Sequence, residues 1–209
     1  RWYEALFTSA DWMRSLKNSL LIAPAATLLA VVLGTLAAVG LTRAEFRGKA
    51  LVMSLLISPM IVPVVIIGVA SYLFFAPLGM GNSYLSLILV HAVLGVPFVI
   101  ITVTATLTGF DYSLARAALN LGATPIRVFF DVIMPLIRPG VISGALFAFI
   151  TSLDETVVAL FISGGDNQTL TKRMFTALRD EIDPTIAAIS SILILASLIL
   201  VVIAGRNKQ

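Results

Sequence analysis

The chain has 209 residues, 59% of them hydrophobic and only 12% charged, where a soluble domain carries about 25% charged residues. A mean hydropathy of +1.03 excludes a water-soluble globule. The net charge of +3 and pI near 9.5 do not make a nucleic-acid binder, because the fourteen Lys and Arg are scattered between apolar runs and build no basic stripe.

Crossing a bilayer takes about 20 apolar residues in a helix. Five stretches meet that length: 19–41, 51–75, 85–107, 141–162 and 185–204. They predict an all-α, polytopic helical bundle forming one transmembrane domain over 1–209. The first residue is Arg1 rather than Met. Segment 1–18 reads as an external amphipathic stretch, and a sixth span is expected ahead of it. Pro24, Pro59, Pro63 and Pro97 fall inside the apolar runs, where neighbouring helices can satisfy freed carbonyls. Small residues at Gly34, Ala37 and Ala38, and at Gly140 and Gly144, are spaced for close helix packing. His91, the single histidine, lies near the outer end of the third span. A hydrogen bond across the bundle is its expected job, and a place in a solute path is the alternative.

Lys and Arg in short loops set orientation. Arg43, Arg47, Lys49, Arg116, Arg127, Arg138, Arg206 and Lys208 share one side with only Glu45, Asp111 and Asp131. The other side balances six basic residues with six acids. The first side is therefore predicted to be cytoplasmic, with the C-terminus inside.

The connection 111–139 is far longer than the roughly 2–8 residues usual between bundle helices. It predicts two short helices. Asp111 caps the first over 112–121, and Gly122 ends it. Thr124 caps the second with Pro125 in its first turn, and Pro135 stops it. On physical grounds this is either a pair of interfacial helices or a knob that docks into a partner protein. Arg116-Ala117-Ala118, three residues, Gly122, nine residues, then Val132-Ile133-Met134-Pro135 resembles the EAA loop of ABC-importer permeases, with Arg116 in place of the usual Glu and Met134 in place of the usual Leu. The resemblance spans essentially the whole chain and implies the type I importer permease fold in a bacterial inner membrane. It further implies a cytoplasmic ABC ATPase dimer that holds ATP and Mg, a second permease subunit, expected to be a sister chain, and an external solute-binding protein. Arg116, Ala117, Ala118, Gly122, Phe129, Phe130 and Pro135 would then form the ATPase-coupling surface.

Asp154 and Glu155 fall inside the fourth apolar run. Each centrally placed acid costs roughly 2.5–3.5 kcal/mol to insert, so the pair needs a role or a partner. One reading is an acid that fixes helix contacts or a gate. The other is a carboxylate lining the pathway as counter-charge to a passing ammonium group. Residues 152–158, Phe161-Ile162-Ser163-Gly164-Gly165 and Asp183-Pro184-Thr185 are similar to the C-type subunit of spermidine/putrescine permeases. That similarity implies a polyamine such as putrescine or spermidine. Opines, aminophosphonates and amino acid derivatives remain as alternatives.

An intramembrane enzyme finds little support. There is one His, no Cys and no nucleophile or metal-binding motif. No catalytic residue and no metal site is expected in this chain. Arg47-Gly48-Lys49-Ala50 lacks the leading Gly and the Ser/Thr of a phosphate loop, so hydrolysis must come from a separate chain. A proton-coupled transporter using Asp154 and Glu155 as a relay would leave 111–139 without a purpose.

Overall fold

A computed structural model describes residues 2–180 and 185–206, all of whose regular structure is helical. In chain order the helices are α1 (Trp2–Thr8), α2 (Ala10–Arg43), α3 (Lys49–Ile57), α4 (Val64–Phe75), α5 (Tyr84–Leu107) and α6 (Tyr112–Asn120). They continue as α7 (Pro125–Val128), α8 (Met134–Asp154), α9 (Val157–Ile162), α10 (Leu170–Asp180) and α11 (Thr185–Arg206). Asp183 and Pro184, part of the segment leading into the last apolar run, lie outside the described residues.

Helices α2, α5 and α8 pack together as the centre of the bundle. Small residues make that approach possible. A Cβ on Gly34 would lie 2.7 Å from Val99 Cβ, and one on Gly144 would lie 2.8 Å from Val99 Cα. Around these contacts Ala30, Ala38, Val99, Val103, Ile137 and Ala148 form a buried apolar cluster. Helix α2 is 34 residues long, about 50 Å at the helical rise. Residues 10–18 form its first turns. Ser9, with φ −78° and ψ 120°, separates them from α1.

Two other expectations of continuous helix are corrected. The run 51–75 is a bent pair whose halves, Lys49–Met60 and Val64–Phe75, meet at 97°. Pro63 has no N–H with which to carry the ladder across, so α4 starts afresh after it. The run 141–162 is also interrupted. Helix α8 ends at Asp154, Glu155 is extended, and the chain resumes as the six-residue α9. That half-helix packs on α4, with Phe161 filling the space a side chain at Gly68 would need.

Pro135 does not stop a helix. It sits in the first turn of α8, and helical backbone runs without a gap from Pro125 to Asp154. A wide π turn over Phe129–Ile133 comes immediately before it, and Met134 N–H donates to Phe129 C=O. Such a turn re-routes the hydrogen bonds that a proline ring would otherwise obstruct.

Candidate functional site

Two parts of the chain draw its chemistry together. The first is the break between α8 and α9. Glu155 Oε1 accepts from Val158 N–H at 2.9 Å, satisfying one of the free amides at the start of α9. The carboxylate is thereby committed to the half-helix, with its charge at the positive end of the peptide dipoles. Asp154 makes no such bond. It is exposed beside Ile150, Leu153 and Thr171 on an open cavity of about 500 Å³, walled on the far side by Leu193, Ile194 and Leu198 of α11. One carboxylate on an apolar wall can hold an ammonium group, with methylenes lying against the leucines. The helix has ended before Glu155, so the two carboxylates have separate jobs.

His91 stands behind this break. Its Nδ1 lies 2.8 Å from Ser152 Oγ, both residues are buried, and the bond joins α5 to α8 two residues before Asp154. It crosses the bundle as expected, and among the described residues Nε2 has no partner. Sequence reasoning missed Ser152, which carries no signal beyond a small polar residue in an apolar run.

The second part is the 111–139 connection. Asp111 caps α6 by accepting from Ser113 N–H at 2.8 Å and from the Ser113 hydroxyl at 2.6 Å. These bonds hold its carboxyl below the ordinary aspartate range. Helix α6 ends in a reverse turn at Gly122, whose φ is +88°. There Gly122 N–H donates to Leu119 C=O and Ala123 N–H to Ala118 C=O, the two bonds of a glycine-terminated helix end. Thr124 Oγ1 then accepts from Arg127 N–H at 3.4 Å. Arg116 and Ala117 are exposed, and Ala118 rests against the buried cluster.

The aromatic pair divides. Phe129 packs onto the chain's own core, while Phe130 is 60% exposed, with the two rings edge to face at 5.0 Å. The most exposed apolar side chains of this connection are Leu121, 88% exposed, and Ile126, 72% exposed. Neither was anticipated as part of the coupling surface, although Leu121 directly precedes Gly122 and Ile126 follows the Thr124-Pro125 helix start. The surface is tied to the bundle by Arg43, whose guanidinium lies 5.6 Å from the centre of the Tyr112 ring. Desolvation pushes the Tyr112 hydroxyl above its ordinary pKa.

A capped, apolar knob sits beside the basic ends of long helices, on a bundle whose acidic helix is interrupted, and one known family matches the sequence that builds both. The family described as "binding-protein-dependent transport system inner membrane component" matches residues 30–207. This chain belongs to that family. It is a permease subunit, and its resemblance to importer permeases holds over the whole length. The spermidine/putrescine transport system permease protein PotC of Haemophilus influenzae is 36% identical over 97% of this chain and 79% of its own length. Its Escherichia coli K12 counterpart is 31% identical over 100% of this chain and 80% of its own. The putrescine transport system permease protein PotI of the same strain is 36% identical over 93% and 72%. The fold is similar to a bacterial ABC transporter for alginate, with a TM-score of 0.76 at 16% identity over 100% of this chain and 78% of that one. An amino acid ABC transporter gives 0.67 at 18% identity over 98% and 94%.

Proposed function

We propose that this permease subunit carries polyamines such as putrescine or spermidine inward, with Asp154 offering the counter-charge. The observation that carries this reading is the Asp154 carboxylate set on an apolar cavity wall. A protonated diamine matches it, an ammonium group on the acid and a methylene chain on Leu153, Leu193 and Ile194. An opine, aminophosphonate or amino acid would bring its own anion to a lining that, among the described residues, contains no basic side chain. The permease relatives named for spermidine and putrescine support the same class.

In this reading the knob at Gly122, with Arg116, Ala117, Leu121, Ile126 and Phe130 outward, seats in a cytoplasmic ATPase. That partner binds ATP and Mg, a sister permease completes the pathway, and an external binding protein delivers the solute. The excess of Lys and Arg at the knob's end of the bundle supports placing that end and the C-terminus in the cytoplasm. Driving by a proton gradient would leave the capped, exposed knob without a use.

The test is putrescine uptake by the reconstituted importer. Losing a charge-assisted contact worth about 1.5–3 kcal/mol should raise KM in Asp154→Asn by roughly 10- to 150-fold. Glu155→Gln keeps an oxygen acceptor for Val158 N–H and should fall well short of that. Wild-type KM in Asp154→Asn would refute the counter-charge.

A further inference from the structure

The first turn of α10 grips α9 at both of its ends. Thr171 Oγ1 donates to the Glu155 carbonyl at 3.1 Å, just before α9 begins. Lys172 Nζ donates to the carbonyl of Ser163, where α9 ends, and lies 3.5 Å from that of Leu160. Carbonyls in the last turn of a helix lack partners within it and carry partial negative charge. Among the described residues no carboxylate pairs with Lys172, so its ammonium group is set against the helix end alone. With Glu155 at the start and Lys172 at the finish, six residues of helix have an anion at the positive end and a cation at the negative end. A helix this short has no stability of its own. Its end contacts and its packing on α4 must set where it lies.

The grip is itself anchored to the 34-residue α2. Leu170 N–H donates to Ser19 Oγ at 2.8 Å. Asn18 Nδ2 donates to the carbonyls of Asp166 at 2.7 Å and Gln168 at 2.9 Å, and Arg14 pairs with the Asp166 carboxylate. A surface lysine with no structural task would extend into solvent. Lys172 is half-buried and bends back onto carbonyls instead.

We propose that Lys172 is a positioning residue for transport, holding the far end of α9 so that the Asp154–Glu155 break keeps its shape. The consequence for uptake rests on the reading of Asp154 given above, but the consequence for α9 does not. The chain contains no Cys, so Ala159→Cys, at a fully buried position on α9, gives a clean reporter of α9 leaving its seat. In the assembled importer, a membrane-impermeant maleimide should label that cysteine roughly 10- to 150-fold faster when Lys172→Met is added, the scale of losing one charge-assisted hydrogen bond. Lys172→Arg should restore slow labelling, which a loss of general packing would not allow. Asp154→Asn should impair uptake with labelling unchanged, separating failure of the solute reading from failure of this one. Labelling as slow in Lys172→Met as in the parent, or as fast in Lys172→Arg as in Lys172→Met, would overturn the proposal. Should Lys172→Met not accumulate in the membrane, Lys172→Gln, which also removes the charge at this end of α9, carries the same test and the same outcomes.

Discussion

Gly122→Ala isolates one physical cost. The residue has φ +88°, where an L side chain costs about 1–2 kcal/mol through contact with its own carbonyl. Nothing else adds to that, because no atom lies within 4 Å of a Cβ built there. The position is exposed, so core packing is untouched. The ratio of turned to unturned forms would then fall roughly 5- to 30-fold, and if the ATPase binds only the turned form, its affinity for the permease should fall by up to that factor. Gly122→Asn, which tolerates this backbone region better, should fall in between. The assay is ATPase binding to the permease in nanodiscs, with thermal unfolding as a control that should drop by no more than roughly 2–8 °C. Equal affinity for the wild-type and Gly122→Ala proteins would refute the idea that this turn is what the ATPase grips.

Gly144→Ala forces a Cβ to 2.6 Å from Thr102 Oγ1 and 2.8 Å from Val99 Cα, and should cost about 1–3 kcal/mol. Gly40→Ala meets nothing within 4 Å inside α2 and should stabilise by about 0.5–1 kcal/mol; thermal unfolding in detergent compares the two. Ser152→Ala leaves the buried His91 ring without its partner and should destabilise by about 1–3 kcal/mol, whereas adding His91→Leu should recover part of the loss. Asp111 has a carboxyl held below its ordinary value of 3.8 by its bonds to Ser113. A depressed acid stabilises above that value, and the contribution disappears as pH falls through the lower folded value. Hydrogen exchange at the Ser113 amide should thus stay protected above about pH 4 and lose protection only in stronger acid.

The local features of the knob were legible because their causes lie within a few residues. Asp111, Gly122, Thr124 and Pro125 each act on backbone groups close by in the chain, so a cap or reverse turn leaves its mark in the sequence itself. Phe129 and Phe130 could not be sorted in this way. Only the π turn and the neighbouring helices aim one ring inward and the other outward.

The sequence by itself determined that the chain is a membrane-spanning helical bundle, which of its ends is basic, and where the capped connection falls. Those follow from apolar length, charge placement and short-range hydrogen bonding. Tertiary structure alone decided the 97° bend before α4, the break after Asp154, the bond between His91 and Ser152, and the grip of Lys172 on α9. An apolar run in a bilayer has no polar face to announce its partner. A helix there can stop wherever another segment satisfies the exposed backbone groups, and such partners can be as distant in the chain as Leu170 N–H and Ser19 Oγ, 151 residues apart.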